Sequence, residues 1–316
     1  MAAGSGSRKV LYAALAGNLM IALTKFAAAW WTGSSAMLSE GVHSVVDTSN
    51  QLLLLYGISR AHKPRDEDHP LGYGRELYFW SFIVALLIFS LGAGISIYQG
   101  VMHVRVPAEI TDPAVNYIVL AISFVFEGAT FLVALKEFNK TRGTLGLIAA
   151  AEASKDPPSY LVLFEDSAAL IGIVIAFLGT LGAEVLTMPV LDGAASIGIG
   201  LVLAATSVFL ARESKGLLIG EGARVRTQRS IRDIAAQCAG VEKVNDLVTV
   251  HLAPDQVVAA LSLEFRDPLT TPEIEKAVAS IEQRIREKHP EVTSVFIKPQ
   301  SSITRDQRAP SAKLTA

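Results

Sequence analysis

His43 and Asp47 lie four residues apart within 36–59, a segment that is otherwise apolar enough to be a membrane helix. A spacing of four puts two side chains on one face of an α-helix, one turn apart. Ionisable groups inside a membrane are costly, so they face a protein interior or a water-filled path. An imidazole and a carboxylate on one face make half of a divalent-metal site, so the pair predicts an intramembrane metal site.

Two ligands seldom hold a metal ion, so this pair needs partners from another helix. Glu165 and Asp166 lie in the fifth apolar segment with apolar residues on both sides. As helix neighbours they project about 100° apart, so they do not both point ideally at one spot. Glu127, in the fourth segment, is a further intramembrane acid, although its small neighbours also suit a hydrogen bond across a helix contact.

Each of these residues also has a purely structural explanation. His43 could be a buried histidine bonded to a backbone carbonyl, and Asp47 could satisfy Ser44 or a neighbouring helix. Lys25, in the first apolar segment, could neutralise one of the acids in a structural ion pair. The set taken together favours an ion path, because ionisable groups within a membrane are functional by default.

The chemistry of such a site favours transport over catalysis. Imidazole and carboxylate ligands suit Zn²⁺, Mn²⁺, Fe²⁺, Co²⁺ or Cd²⁺. The same groups titrate, so metal binding must displace protons, and a site open alternately to two sides would exchange a metal for protons. No His-Glu-x-x-His sequence occurs in the chain, which disfavours metalloprotease chemistry. The sequence therefore predicts a transporter that is not an enzyme.

The composition is that of a polytopic membrane protein. The 316 residues are 51% hydrophobic and only 18% charged, with a mean hydropathy of +0.40, whereas soluble domains carry about 25% charged residues. The single cysteine, Cys238, excludes an internal disulfide and a thiolate-rich metal cage. Because no Lys/Arg cluster accompanies the net charge of −2, nothing indicates a nucleic-acid partner.

Six segments are long and apolar enough to cross a bilayer, which needs about 20 residues each. They are 10–31, 36–59, 78–101, 113–135, 159–181 and 189–211. We interpret the first as a retained helix, because nothing resembles a cleavage site after a short apolar region.

The loops between these segments differ in charge. One set carries Arg8, Lys9, Arg60, Lys63, Arg65, Arg75, Lys136, Lys140, Arg142 and Lys155, and the opposite set carries Arg105. The positive-inside rule then predicts a multi-pass protein with both termini in the cytoplasm. In the absence of a targeting extension, we expect the bacterial inner (plasma) membrane rather than an organelle.

The C-terminal residues have the mixed charges of a soluble domain. Apolar periodicity and turn signals predict a helix over 229–239, strands over 244–252 and 256–265, a helix over 271–289 and a strand over 294–298. This αββαβ order suits an α+β ferredoxin-like sandwich. The predicted organisation is a transmembrane domain (1–215), a cytoplasmic domain (216–300) and a disordered tail (301–316).

The chain resembles the cation diffusion facilitator family of metal–proton antiporters over essentially its whole length. The matching features, in chain order, are Asn18 and Lys25, LSEGVHSVVD (38–47), HPLGYGR (69–75), EDSAA (165–169), LDGAASIGIG (191–200) and the C-terminal αββαβ pattern. The EDSAA pattern resembles a branch of the family that includes a eukaryotic mitochondrial zinc transporter.

The resemblance implies a homodimer joined by its cytoplasmic domains, with one transport site per protomer. The family places His/Asp-x-x-x-Asp on the second and fifth helices, and His43, Asp47 and Asp166 match three of the four positions. The fourth position holds Val162, so Glu165 or a water molecule takes the place of the missing ligand. The implied metal ligands are therefore His43, Asp47, Asp166 and Glu165.

A second departure lies in the loop after the second helix. The family's accessory metal site has a histidine where this chain has Tyr73, and Asp66, Asp68 and His69 remain. This leaves either a weak surface metal site or a solvated acidic loop.

The sequence thus predicts a secondary transporter that exports a divalent metal from the cytoplasm in exchange for protons. Zinc is the first choice, and manganese and iron are also possible because the site is rich in oxygen. The metal ion is a substrate, and no cofactor is expected; the partners are protons, the lipid bilayer and a second copy of the chain. Two alternatives stay open, a membrane metal sensor or scaffold without transport, and a proton-coupled transporter of another cation.

Overall fold

The computed structural model describes residues 5–301, with side chains described from Asn18 onward except that of Thr141. The chain divides into two compact units. The first unit contains the described residues up to Lys63 together with 76–215. The second contains 64–75 together with the described residues from Gly216 onward, so the loop after the second predicted helix groups with the C-terminal residues.

The first unit is built from long helices. They are α1 (Ser5–Thr32), α2 (Ser35–Ala61), α3 (Glu76–Leu87), a π-helical segment (Ile88–Ala93), α4 (Gly94–Arg105), α5 (Pro113–Arg142), α6 (Leu147–Ala153), α7 (Pro157–Val185) and α8 (Val190–Ile219). The last predicted segment ends at 211, whereas α8 continues through Gly216 to Ile219 and ends before Gly220. That glycine has φ of 121°, which ends the helix.

Four spans among the described residues are long and apolar enough to cross a membrane. They are Glu76–Arg105, Pro113–Lys140, Pro157–Val185 and Val190–Ile219, and they correspond to the third to sixth predicted segments. Helices α1 and α2, of 28 and 27 residues, also have the length that a bilayer requires. Helix α2 is less apolar because a row of polar residues runs through it.

A buried carboxylate from α8 holds the N-terminus of α2. Asp192 accepts hydrogen bonds from Ser34 Oγ (2.6 Å), from the Ser35 backbone N–H (2.6 Å) and hydroxyl (2.9 Å), and from the Ala36 backbone N–H (3.2 Å). The negative charge satisfies N–H groups that have no partner within the helix, and it complements the helix dipole. This contact holds the N-terminal end of α2 against α8. It therefore also fixes the positions of the polar residues of α2 relative to α8.

Replacing Asp192 with alanine should strongly destabilise the membrane unit. The change would leave buried donors on Ser34, Ser35 and Ala36 without an acceptor, at about 1–3 kcal/mol for each unsatisfied group. We expect the free energy of unfolding to fall by about 3 kcal/mol or more. Thermal unfolding of the purified protein in detergent measures this, with Asp192→Asn, which keeps one acceptor oxygen, as the intermediate case. An unchanged melting temperature for Asp192→Ala would contradict the capping role.

Close packing of α4 against α8 completes the support of α2. A Cβ atom added to Gly100 would lie 2.6 Å from the carbonyl oxygen of Gly193, so glycine is required at this helix contact. Ser196 on α8 donates to the carbonyl oxygen of Ser96 (2.8 Å), and its hydroxyl lies 2.5 Å from that of Ser39 on α2. These contacts join α2, α4 and α8 by short polar links inside the unit.

The C-terminal unit confirms the predicted αββαβ order. It contains α9 (Val225–Ala236), β1 (Val241–Ala253), β2 (Gln256–Phe265), α10 (Thr271–Lys288) and β3 (Val292–Pro299). The sheet has the order β1-β2-β3, with β1 antiparallel and β3 parallel to the central β2. Its apolar core includes Ile231, Val257, Leu263, Ile281 and Ile285. The predicted tail, 301–316, falls outside the described residues except for Ser301.

The loop 64–75 is anchored to the β1–β2 hairpin. Gln256 Nε2 donates to the carbonyl oxygen of Leu71 at 2.7 Å. Within the loop, Asp66 accepts from the Tyr73 hydroxyl (2.5 Å) and from the backbone N–H of His69 (2.7 Å). The Tyr73 hydroxyl therefore donates a hydrogen bond to Asp66, the aspartate that would serve the family's accessory metal site.

The Tyr73 hydroxyl, followed by the backbone N–H of His69, lowers the pKa of Asp66 below its ordinary value of 3.8. A carboxyl group with a lowered pKa stabilises the folded loop above its unfolded pKa, and that stabilisation is lost as the pH falls through the folded pKa. Tyr73→Phe should therefore raise the pKa of Asp66 towards 3.8. An NMR titration with ¹³C-labelled aspartate measures the shift, and Tyr98→Phe, far from Asp66 in sequence, is the control. An unchanged pKa in Tyr73→Phe would show that this hydrogen bond is not formed.

Candidate metal site in the membrane unit

A stripe of polar side chains follows one face of α2. Its members are buried or half-buried and recur every three or four residues: Glu40, His43, Ser44, Asp47, Asn50 and Gln51. At 1.5 Å per residue the stripe is roughly 16 Å long. A polar face of this length inside an apolar bundle is the arrangement that the spacing of His43 and Asp47 predicts.

His43 and Asp47 are in contact within this stripe. His43 Nδ1 lies 3.4 Å from Asp47 Oδ1, and the histidine side chain is 1% exposed. Both His43 ring nitrogens and Asp47 Oδ1 are buried without a hydrogen-bond partner in the described part of the chain. The structural alternative, a histidine bonded to a backbone carbonyl, is therefore not observed. Because buried polar atoms are normally paired, unpaired donor and acceptor atoms here indicate a ligand site.

Helix α7 contributes two more carboxylates next to α2. Asn50 Nδ2 on α2 donates to Glu165 Oε1 at 2.9 Å, while Asp166 Oδ2 is buried without a hydrogen-bond partner among the described residues. Asp47 interacts electrostatically with Glu165, Asp166 and Glu127. The acids of α2, α5 and α7 therefore share one electrostatic environment.

The predicted ligands share this environment without forming a coordination sphere. Among residues 5–301, no three His, Cys, Asp or Glu side chains converge in the way metal ligands do. The structure pairs His43 with Asp47 and Glu165 with Asn50. An ion held by all of the predicted ligands would therefore require side-chain movement, including a change in the hydrogen bond between Glu165 and Asn50.

Val162 lies one helical turn before Asp166, at the position where the family pattern has a ligand. Its side chain is partly buried and packs against the apolar core of the membrane unit. An aliphatic side chain has no atom to donate to a metal. The neighbouring acid on α7, Glu165, is 5% exposed and already reaches α2, which makes it the available protein donor.

Lys25 forms a buried ion pair beside the site, with an acid that the sequence had not singled out as its partner. Lys25 Nζ on α1 donates to Glu40 Oε2 (3.1 Å) and to Ser44 Oγ (2.8 Å), and it lies 4.0 Å from Glu127 Oε1. The prediction that Lys25 neutralises an intramembrane acid is correct in kind, but its closest partner is Glu40. The sequence does contain a signal for Glu40 as a member of this cluster, because Glu40 precedes His43 by three residues and so shares its helix face.

Two family profiles match the chain in order. The cation efflux transmembrane domain matches residues 11–219, and the cytoplasmic domain of cation efflux proteins matches residues 224–300. The boundary between the two matches follows the end of α8 and precedes α9.

The chain is also similar to named proteins along most of its length. It is 32% identical over 268 residues to the Homo sapiens protein "Proton-coupled zinc antiporter SLC30A9, mitochondrial", covering 84% of this chain and 47% of the human protein. It is 35% identical over 262 residues to "Metal tolerance protein C4" of Arabidopsis thaliana, covering 82% and 57%. It is 24% identical over 290 residues to "Cation-efflux pump FieF" of Escherichia coli, covering 90% and 91%. The chain thus spans about half the length of the human and plant proteins.

Proposed function

Because the chain belongs to the cation efflux family, we propose that it is a homodimeric antiporter that exports a divalent metal ion in exchange for protons. Membership of the family makes the chain a membrane transporter of metal cations and not an enzyme. The proton coupling, the choice of metal and the ligand set are the parts that we propose.

The observation that carries the proposal is the unpaired imidazole beside a carboxylate inside the membrane unit. His43 is buried and Asp47 half-buried on α2, with buried atoms that no described residue satisfies, and Glu165 and Asp166 lie on the adjacent α7. Burying several ionisable groups in a membrane is unfavourable unless they bind charge. A divalent cation would pair with the carboxylates and use the free ring nitrogen of His43.

Proton exchange follows from the chemistry of these ligands. An imidazole binds metal only in its neutral form, and carboxylates bind it when ionised, so metal entry expels any protons that the site holds. When the site opens to the other side, protons can replace the released metal. Zinc is our first choice because one nitrogen and several oxygens suit it, and the similar human protein is named a zinc antiporter. The apolar Val162 makes the site richer in oxygen, which keeps manganese and iron as candidate substrates.

Dimerisation and orientation are supported by the C-terminal domain and the loop charges. The matched cytoplasmic domain is a cation efflux dimerisation domain, which supports a homodimer. The basic residues of the loops support cytoplasmic termini. The relatives include mitochondrial and bacterial proteins, and we propose the bacterial inner membrane for this chain.

Metal uptake by proteoliposomes with an imposed pH gradient tests the proposal. Zn²⁺, Mn²⁺, Fe²⁺, Co²⁺ and Cd²⁺ are offered separately, and a protonophore that collapses the gradient is the control. We expect zinc flux that depends on the gradient, together with proton movement in the opposite direction. If a folded dimer carries none of these metals, the proposal is wrong and a sensor or scaffold is favoured. If it carries a monovalent cation instead, the alternative of another proton-coupled transporter is favoured.

A further inference from the structure

Asn50 has a buried side-chain amide of which only one end is paired among the described residues. The residue is 0% exposed and lies on α2 where this helix contacts α7. Its amide N–H donates to Glu165 Oε1 at 2.9 Å, while its carbonyl oxygen Oδ1 is buried without a hydrogen-bond partner in the described part of the chain. We infer that Asn50 Oδ1 is a further ligand of the transported metal ion. The inference deepens the proposed function and rests on it.

The contact with Glu165 determines which end of the amide is left for a ligand. A carboxylate oxygen accepts hydrogen bonds, so the NH2 group of Asn50 is the end that meets Glu165. The other end is a carbonyl oxygen, whose lone pairs suit a cation. Amide oxygens of asparagine and glutamine bind hard divalent cations in proteins. The chemistry of the unpaired atom is therefore that of a metal ligand.

Asn50 belongs to the polar stripe that carries the proposed ligands of α2. It follows Asp47 by three residues, so the two side chains lie on the same face of the helix. Through Glu165 it also contacts α7, the helix that carries Asp166. Asn50 therefore links the proposed ligands of one helix to those of the other.

The distances bring Asn50 and Glu165 within reach of one ion after a small movement. The oxygen and nitrogen of one amide group are at most about 2.6 Å apart, so the 2.9 Å hydrogen bond places Asn50 Oδ1 no more than about 5.5 Å from Glu165 Oε1. Two oxygens bonded to the same zinc ion, each at about 2.2 Å, lie up to about 4.4 Å apart. A movement of about 1 Å is therefore enough for both oxygens to bind one ion.

A purely structural hydrogen bond accounts for only the donor end of the amide. Joining α2 to α7 through Glu165 requires an N–H group, and it leaves a buried carbonyl oxygen unpaired. Such an oxygen is unfavourable, and in native structures it indicates a partner that remains to be identified. Asp47 Oδ1 and both ring nitrogens of His43 are buried and unpaired in the same way among the described residues. One divalent cation would satisfy atoms of all three side chains.

An amide ligand affects the choice of metal as well as the affinity. Carbonyl and carboxylate oxygens suit manganese, which favours six ligands, whereas zinc is commonly held by four. With Val162 at one position of the family pattern, Asn50 would add an oxygen donor to a site that already contains one imidazole and several carboxylates. Removal of this donor should therefore weaken the binding of manganese more than that of zinc.

A double-mutant cycle separates a ligand from a residue that only orients Glu165. The variants are Asn50→Ala, Glu165→Leu and the two combined, and the measurement is the Kd of Zn²⁺ and of Mn²⁺ for the purified full-length protein in detergent. If Asn50 acts only through Glu165, its replacement has no effect once position 165 holds leucine. If Asn50 Oδ1 binds the ion, the effect persists in that background.

In the Glu165→Leu background, we expect Asn50→Ala to raise the Kd of manganese by about tenfold and that of zinc by about threefold. The matched control is Gln51→Ala in the same background. Gln51 is the next amide on α2, and its oxygen already accepts a hydrogen bond from Asn18 Nδ2 at 3.2 Å. Its replacement should leave both Kd values within about twofold of those of Glu165→Leu.

Unchanged Kd values on adding Asn50→Ala to Glu165→Leu would overturn the inference, because Asn50 would then only orient Glu165 or bind water. A rise no larger than that caused by Gln51→Ala would overturn it as well. If Asn50→Ala alone does not fold, the comparison within the Glu165→Leu background decides, because no buried carboxylate at position 165 loses its donor there. If wild-type protein binds metal but moves none, the proposed function fails, while the Kd values still decide the role of Asn50.

Discussion

Replacing Asp47 with alanine should lower gradient-driven metal flux by about 100-fold or more. The carboxylate lies 3.4 Å from His43 and interacts with the acids of α7, so its removal takes away a ligand and leaves the imidazole without its neighbour. Loss even of a residue that only supports a metal ligand commonly lowers metal affinity by about 10- to 100-fold, and loss of a ligand should have a larger effect. The initial rate of zinc uptake into proteoliposomes measures the change.

The matched control for this variant is Ser49→Ala. Ser49 lies two residues further along α2 on an exposed face, and its hydroxyl donates to the carbonyl oxygen of Val45 in the same helix. Flux in this variant should stay within about twofold of the wild type, in keeping with surface substitutions that have little effect. Metal flux that survives the replacement of both Asp47 and Asp166 by alanine would show that the ion follows another route.

The sequence could predict those parts of the site that depend on spacing along one helix. The four-residue interval between His43 and Asp47 placed both side chains on one face of α2, and the structure shows them in contact. The αββαβ order of the soluble domain was also predictable, since its strands and helices carry clear periodicities. The ends of the strands were less predictable. Pairing with β2 extends β1 from Val241 to Ala253, beyond the apolar run that predicted the strand.

The contacts between helices could not be predicted in this way. Asp192 caps α2 from a position 158 residues away from Ser34 in the chain, and no local pattern signals that partner. No local pattern signals the hydrogen bond from Asn50 to Glu165 or the pairing of Lys25 with Glu40 either. A single sequence shows that these groups are buried together in the membrane, but only the packing of α1, α2, α7 and α8 decides which of them meet.

The contact between Asn50 and Glu165 concerns the fourth ligand position, where this sequence has no side chain that can bind a metal. Val162 occupies the place of the fourth ligand and offers no donor atom, and Glu165 is buried on the same helix with one oxygen bonded to α2. If Glu165 is the replacement ligand, it is indispensable in this chain. The substitution Val162→His should then make it dispensable, because the introduced imidazole would lie one turn from Asp166, as His43 lies one turn from Asp47.

Glu165→Gln should therefore reduce zinc flux by about tenfold or more, and adding Val162→His should restore most of it. The imidazole favours zinc over manganese, so the double variant Glu165→Gln/Val162→His should also prefer zinc more strongly than the wild type does. Flux of both metals into proteoliposomes measures the two effects. Glu165→Gln/Val162→Ala changes the side-chain volume at position 162 without adding a donor atom, so it should remain impaired. Wild-type flux in Glu165→Gln would mean that Glu165 is not a ligand, and equal impairment of the histidine and alanine double variants would mean that position 162 does not face the ion.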